Sequence, residues 1–309
     1  PLFCGATVCL ATREQCMDGE EIKKLLLQYQ VTVMQATPTT WRMLLASGYV
    51  KDQNLRVLCG GESFPKDLAE QLLVSFRDVW NMYGPTETTI WSTCAKLVKG
   101  KQITVGKPLL ETSIFILDEN MQPVPIGVSG EVYISGRGVS TGYFLRPDLN
   151  KTKFKFLKNN SKAFATGDLG RWTSDGELII LGRSDRQIKM RGYRIELGEI
   201  EYQLRMYFAV KEAVVFTYRN AQQEIVIGAA LVLNPDCVFD ERNLRQFLAQ
   251  NLPTYMIPSS FMNINEIPLT PNRKVDENKL REMILSEKQN AKAITKNSFS
   301  EISASSSMP

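Results

Sequence analysis

The sequence predicts an α/β protein in three parts: a parallel-sheet lobe, an antiparallel β-barrel-like section, and a small α+β C-terminal domain. Three observations predict it. Between residues 18 and 95, β-branched runs alternate with amphipathic helical stretches, the pattern of a parallel sheet with helical crossovers. From about Ile103, short strands follow one another, broken by Gly, Pro and Asp at hairpin spacing. Beyond Asp185, helical patterns return around two strongly apolar strands, "VKEAVVF" and "EIVIGAALVL". The expected boundaries are 1–184 for a large core, divided near residue 95 into an α/β lobe and a β-rich section (96–184), then 185–285 for the small domain. Residues 286–309, rich in Ser, Lys and Asn without an apolar period, read as a flexible linker or tail.

Each element has a local reason. Asp18 and Glu21 form a capping box for a helix whose Ile22, Leu25, Leu26 and Tyr29 share a face. "VTVM" suits a buried strand, a helix runs through Trp41 to Leu45, and "LRVLC" is the next strand. Pro65 opens a helix with Leu68, Leu72 and Phe76 on one stripe, and "VWNMY" follows as a strand. Further on, "SIFILDENMQPVP", "GEVYISGRGVSTGYF" and "ELIILGRSD" carry the antiparallel pattern. In the last part, Gln187, Lys189 and Arg191 alternate with Ile188 and Met190 as an exposed face against a buried one. A helix begins near Glu196, and another, capped at Asp240, buries Leu244, Phe247 and Leu248.

Composition removes several function classes. The 309 residues contain no histidine, which excludes Ser-His-Asp and Cys-His nucleophile schemes and imidazole zinc sites. Catalysis is thereby pushed toward Lys, carboxylate, hydroxyl and backbone groups. The six cysteines contain no Cys-x-x-Cys pair and read mostly as reduced core thiols. The net charge of +4 is interleaved with acidic residues rather than gathered into a stripe, so nucleic acid is not an expected partner. No apolar run reaches membrane length and no secretory signal opens the chain, so a cytoplasmic protein without a membrane partner is expected.

In parallel sheets, ligands bind at the carboxyl ends of strands. Two such ends carry unusual polarity, "CGGES" (Cys59 to Ser63) and "YGPTE". Gly84 and Pro85 meet the needs of a turn; the Thr hydroxyls and Glu87 that follow are surplus to it. Taken alone, each motif has a plain structural reading: turn hydroxyls bonded to their own backbone, a turn aspartate at Asp168, a solvated Arg183, an exposed Lys274, a salt-bridged hairpin around Gly192.

Together they do not stand alone. "NMYGPTETT", "GEVYISGRGVSTGYF", "FATGDLGRW", "GRSDRQIKMRGYRIELGEIE", "LPTYMIP" and "PNRKVD" occur in an order that resembles the adenylation domains of nonribosomal peptide synthetases, part of the adenylate-forming superfamily with acyl-CoA synthetases and luciferases. The resemblance runs from the first residues to about Leu280. It implies a partial adenylate-forming fold and two half-reactions, using ATP, Mg²⁺ and phosphopantetheine on a partner carrier domain. A carboxylate takes the adenylyl group of ATP, and the thiol then takes the acyl group.

The resemblance also implies roles. Tyr83 lies against adenine, with Asn81 and the backbone of Gly61, Glu62 and Ser63 near the base edge; Gly84 makes the turn, Thr86 bonds phosphate and Glu87 holds Mg²⁺. Asp168 accepts from the ribose hydroxyls, and Arg183 adds a donor. Lys274 meets the substrate carboxylate and the phosphate together. Asp185 is the hinge, and Gly192 marks the segment brought in for thioester formation. Ala36, Leu58, Gly60, Met82, Ile90 and Trp91 line an acyl pocket whose apolar wall favours a hydrophobic side chain, with core packing the other reading for these same residues. The sequence departs from the family at Phe164 and Ala165, where Tyr and a basic residue are usual, and at Arg273, where Gly usually precedes the lysine; a positive backbone angle there resents the change.

No Ser/Thr/Gly-rich phosphate loop ending in Pro-Lys occurs in these residues, which therefore read as the back portion of an adenylation domain of limited activity on its own. The implied partners are an amino or related carboxylic acid and the carrier and condensation domains of a synthetase. An acyl- or aryl-CoA ligase and a non-catalytic remnant stay open beside that reading.

Overall fold

The computed structural model describes residues 2–49, 54–158, 160–271 and 273–288. The chain forms two compact units, one ending at Asp185 and the other beginning at Arg186.

The first unit opens with α1 (Arg13–Cys16), held by a capping box between Thr12 and Gln15. Then come α2 (Gly19–Gln28), β1 (Val33–Ala36), α3 (Pro38–Ala46), β2 (Arg56–Gly60), α4 (Lys66–Ser75), β3 (Asp78–Tyr83), β4 (Thr93–Lys96) and β5 (Lys107–Pro108). The five strands form one sheet in chain order. β1, β2 and β3 run parallel, and β4 and β5 turn back antiparallel. Helices α2, α3 and α4 bury Ile22, Leu26, Trp41, Leu44, Leu68 and Leu72 against Val57, Cys59 and Val79 on one face of that sheet. Each such side chain contributes about 1.5–3 kcal/mol when fully buried.

Three local expectations change here. Asp18 caps α2 through the Glu20 N–H, while Glu21 pairs with Lys24, so no capping box forms. A short Asp side chain reaches the nearer N–H, and Gly19 lets α2 lie against α3, since a Cβ there would stand 2.4 Å from the Met43 carbonyl. β1 is a sheet edge with Val33 46% exposed, where a buried strand was expected. Cys4, Cys9 and Cys16 are exposed rather than in the core, because residues 2–14 are exposed throughout and α1, which ends at Cys16, buries none of its residues; Cys59 alone among the cysteines is buried.

The β-rich section contains β6 (Thr112–Leu117), β7 (Gly130–Gly136), α5 (Pro147–Lys153), β8 (Phe154–Phe156), β9 (Lys162–Trp172) and β10 (Leu178–Arg183). The sheet order is β10-β9-β7-β6, all antiparallel, with β8 also on β9. Register shifts at Ile180/Gly182 and Glu131/Tyr133 bend the strands and increase their twist, curling the sheet into a half-barrel. Its inner cluster joins Tyr83 of β3 to Ile114, Val132, Ile134 and Leu178. Phe164 and Ala165 are both buried in β9, which accounts for apolar residues at those positions.

The second unit begins with the hairpin β11 (Gln187–Met190) and β12 (Tyr193–Glu196), then α6 (Leu197–Met206), β13 (Val210–Arg219), β14 (Ile225–Leu233), α7 (Glu241–Asn251) and β15 (Ser260–Asn263). β13 and β14 pair antiparallel and β15 joins β14 in parallel. Ile200, Leu204, Val215, Ala229, Leu244 and Leu248 form its core. Gln187 is 3% exposed, against the expected outward face, because it pairs across the hairpin with Glu196 and donates its amide to that carboxylate. A helix over residues 277–288 includes Ser286 to Lys288, and the rest of the expected tail lies outside the described residues. The α/β lobe, half-barrel and α+β unit together bear out the predicted fold class.

Candidate active site

The carboxyl ends of β2 and β3 lie side by side, with Gly60 paired to Met82. After Tyr83 the chain turns sharply. A Cβ on Gly84 would stand 2.5 Å from the Ile90 carbonyl and 2.7 Å from the Ser92 N–H nitrogen, so only glycine lets the loop fold back. Thr86–Thr88 form a single 3-10 turn, and Thr89 and Ile90 follow at φ 63° and 70°. Left-handed backbone is costly for β-branched residues, and such strain concentrates at functional sites. Within this turn Thr86 is exposed and Glu87 is 7% exposed, with its carboxylate accepting the Tyr143 hydroxyl.

The half-barrel supplies the facing groups. β9 and β10 pair Asp168 directly with Arg183. Asp168 accepts from Arg183 Nη1 at 2.7 Å and from the Tyr83 hydroxyl at 2.6 Å, one bond on each carboxylate oxygen. A carboxylate offers about four acceptor sites, so the pair leaves capacity for further donors. Burial first, and the Asp168 charge second, push the Tyr83 hydroxyl well above its ordinary range. It therefore stays a donor. Arg183 also forks onto Asp185 through Nε at 2.7 Å and Nη2 at 2.9 Å. Gly167, at φ 75°, makes room for that fork: a Cβ there would stand 2.7 Å from Asp185 Oδ2 and 2.8 Å from Arg183 Nη2.

The structure brings some of the predicted residues together and separates others. Tyr83, Asp168, Arg183 and Asp185 form one bonded chain. Asn81 is buried and donates to the Thr104 carbonyl at 2.8 Å. Gly61 takes φ 89° after β2; Glu62 accepts from Thr39 at 3.2 Å, and Ser63 is exposed. Leu58, Gly60 and Met82 share the sheet face opposite the helices, and the Trp91 ring covers Gly60, where a Cβ would meet it at 2.6 Å. Ala36 pairs with Cys59 and packs on the helical side, while Ile90 is 60% exposed. An open groove of about 630 Å³ lined by Glu111, Ser135, Arg137 and Lys162 shares none of these residues.

In the second unit, Lys274 is exposed on a turn closed by Thr270 N–H to the Lys274 carbonyl at 2.7 Å and Arg273 N–H to the Thr270 carbonyl at 2.9 Å. Arg273 adopts φ 57°, the left-handed angle that its residue type disfavours. Arg191 and Gly192, at φ 51° and 79°, form the two-residue turn between Met190 and Tyr193, the left-handed pair that hairpins favour.

Sequence reasoning missed one bond and one group. The Tyr83–Asp168 bond joins residues 85 apart, and Tyr143 reaches Glu87 across 56. Both tyrosines sit inside the quoted motifs, which was the available signal.

Comparison with known proteins adds an independent finding. Residues 1–144 match the AMP-binding enzyme family, and residues 199–274 match the AMP-binding enzyme C-terminal domain. A dimodular nonribosomal peptide synthase of Bacillus subtilis (strain 168) is 40% identical over 285 residues, 91% of this chain and 12% of that protein. Gramicidin S synthase 2 of Aneurinibacillus migulanus is 38% identical over 91% of this chain and 6% of its own length. The chain thus spans a small fraction of the relatives it matches. Among solved structures, a four-domain nonribosomal peptide synthetase bound to AMP and glycine is 39% identical with a TM-score of 0.56, covering 87% of this chain and 20% of that one. The chain belongs to the adenylate-forming superfamily, as a partial homologue of nonribosomal peptide synthetase adenylation domains.

Proposed function

We propose that the chain carries the nucleotide-binding half of an amino-acid adenylation site together with its small C-terminal domain, in an ATP-dependent ligase within a peptide synthetase. In the first half-reaction a substrate carboxylate oxygen attacks the α-phosphorus of ATP, and the bond to pyrophosphate breaks. In the second, a carrier-bound phosphopantetheine thiol attacks the acyl carbon and AMP leaves. The chemistry is charge neutralisation and positioning, which suits a chain without histidine.

The observation that carries this reading is the Tyr83–Asp168–Arg183 chain, which ties a strand-end loop of the sheet to a carboxylate of the half-barrel. Asp168 and Arg183 receive the ribose, Tyr83 and the Gly61–Ser63 backbone the adenine, and Thr86 a phosphate. Among the described residues no three His, Cys, Asp or Glu side chains cluster for a metal, and the buried Glu87 fits the habit of Mg²⁺, which takes one or two carboxylates and completes its shell with phosphate oxygens and water. When bound, that ion neutralises phosphate charge. Leu58, Gly60, Met82 and Trp91 form the apolar wall for the acid's side chain, and Trp91 over Gly60 favours a small one. Lys274 supplies the cation for the carboxylate and phosphate, Asp185 the hinge, and the Gly192 turn the thioester-forming segment. Carrier and condensation domains are the partners.

The test is calorimetric binding of AMP to wild-type chain and Asp168→Asn. The substitution keeps the side chain's shape and removes its charge. At least ~10-fold weaker AMP binding is expected, about 1.4 kcal/mol for each decade. Equal affinity overturns the ribose assignment. ATP–pyrophosphate exchange in the intact synthetase, comparing amino acids with aryl and fatty acids, then separates peptide synthesis from CoA ligation.

A further inference from the structure

The loop after β7 lies along the turn that carries Glu87. The Ser140 N–H donates to the Glu87 carbonyl at 2.8 Å, and the Thr89 hydroxyl donates to the Gly138 carbonyl at 2.7 Å. Gly138 permits the approach, since a Cβ there would stand 2.8 Å from the Thr88 carbonyl. From the end of this loop, the Tyr143 hydroxyl donates to the Glu87 carboxylate.

Tyr143 is itself held on three sides. Its N–H donates to Asn150 Oδ1 at 2.6 Å, and its carbonyl accepts from Asn150 Nδ2 at 2.9 Å. Its ring meets the buried Phe154 edge-on at 5.7 Å. Gly142, at φ 137°, leaves space for Asn150 Oδ1, which a Cβ would crowd at 2.7 Å. Lys162 fixes the start of the segment by donating to the Ser140 and Thr141 carbonyls at 3.0 and 2.7 Å. A rigid base therefore delivers one hydroxyl to one carboxylate.

The terminal torsion of a glutamate is broad, so a carboxylate without partners wanders and must be ordered when it binds. A hydrogen bond from a fixed donor removes that cost. Groups that orient a metal ligand in this way typically change metal affinity 10- to 100-fold when lost. We infer that Tyr143 is a positioning residue for Glu87: its hydroxyl fixes the carboxylate so that Mg²⁺ carried in on the nucleotide meets a preformed ligand. The inference rests on the assignment of Glu87 to the metal.

The test combines calorimetry with hydrogen exchange on the full chain, using Tyr143→Phe, Glu87→Gln and the double variant. ATP is titrated with Mg²⁺ and, separately, with EDTA. Tyr143→Phe should lower the Mg²⁺-dependent gain in ATP affinity by ~10-fold and leave the EDTA affinity unchanged. A merely structural role would weaken both equally. On Glu87→Gln the second substitution should add nothing, because the two residues act as one unit. An unchanged Mg²⁺ gain in Tyr143→Phe, or an additive double variant, overturns the inference. If Glu87→Gln itself leaves the Mg²⁺ gain intact, the metal assignment has failed instead, and exchange in the ligand-free chain decides whether the latch exists. The Thr88 and Thr89 amides, bonded within the turn, should exchange ~10-fold faster in Tyr143→Phe, and equal rates reject it.

Discussion

The two units hold their assigned residues in opposite ways. Up to Asp185, three groups assigned to the nucleotide are bonded to one another and shielded from solvent: Asp168 is 4% exposed, Tyr83 7%, and the Arg183 side chain 13%. From Arg186 on, the groups assigned to chemistry stand on tight turns with left-handed backbone, Lys274 beside Arg273 at φ 57° and Gly192 beside Arg191 at φ 51°. Preorganised dipoles and charges work best when fixed before the ligand arrives. Lys274, exposed on its turn, is positioned by the turn's own backbone hydrogen bonds. The difference shows two ways of fixing a polar group: a buried pair holds it through its partners, and an exposed turn holds it through its own backbone.

The sharpest way to break the comparison is to unpair the buried site. Asp168→Ala leaves Arg183, whose side chain is 13% exposed, without its inner partner. Removing one member of a buried pair costs about 3–5 kcal/mol, and the surviving Asp185 fork puts this one near ~3 kcal/mol. All four tryptophans, Trp41, Trp80, Trp91 and Trp172, precede residue 186, so tryptophan emission in urea reads this unit alone. A loss under ~1 kcal/mol would mean that the pair is not effectively buried.

Next in size is Gly60→Ala. The new Cβ would stand 2.4 Å from the Met82 carbonyl and 2.6 Å from the Trp91 ring, so strand or ring must move. Overpacking of this kind costs about 1–3 kcal/mol, and the same urea titration should show ~2 kcal/mol. Adding Trp91→Leu should recover only the ring's share, because the clash with the carbonyl persists.

Alkali sharpens the contrast in a third way. Burial, with the Glu62 charge added, pushes the Cys59 thiol from 9.0 up to about 12. Burial and Glu131 likewise raise Tyr133 from 10.0 to about 12. A group whose pKa is higher when folded binds more protons in the folded state, so its contribution is complete below the unfolded pKa and is lost as pH rises. Cys59 alone should remove about 1.4 kcal/mol by pH 10. In the second unit burial pushes the Tyr218 hydroxyl up, but hydrogen bonds from Lys288 and with Ser260 outweigh it and bring it below 10.0. Its sign is opposite. Tryptophan emission should therefore report unfolding at lower pH than the loss of protection at Val215 and Ala229 amides. Coincident alkaline transitions would erase the distinction between the units.

Much of this was legible in the sequence, for definable reasons. Strand ends and loops were readable because "CGGES" and "YGPTE" combine turn residues with surplus polarity at the close of apolar runs. The half-barrel was readable from its Gly- and Pro-broken strands. What escaped was set by tertiary pairing. Ala36 falls on the helical side because its register partner is Cys59, which spacing along one strand does not reveal. Gln187 is buried because Glu196 answers it across the hairpin, against an alternation that pointed it outward. The exposure of Cys4, Cys9 and Cys16 escaped because an apolar neighbourhood in sequence supplies no partner in space.

The smallest effect tests the strained side directly. A non-glycine residue held left-handed costs about 1–2 kcal/mol, and glycine in the same place gives back roughly 1 kcal/mol of that through the unfolded chain's greater freedom. Arg273→Gly should therefore stabilise the second unit by only ~0.5 kcal/mol, while Lys274→Ala beside it, an exposed change, should stay within ±0.5 kcal/mol. Activity should divide them the other way. In the intact synthetase, Lys274→Ala should cut adenylation about 100- to 1,000-fold, the usual loss for a group that meets developing charge, and spare thioester formation from preformed adenylate. Arg273→Gly should leave adenylation intact or raise it. If Arg273→Gly destabilises the unit, the left-handed turn is not strained, and if both half-reactions fall together in Lys274→Ala, the lysine holds structure rather than charge.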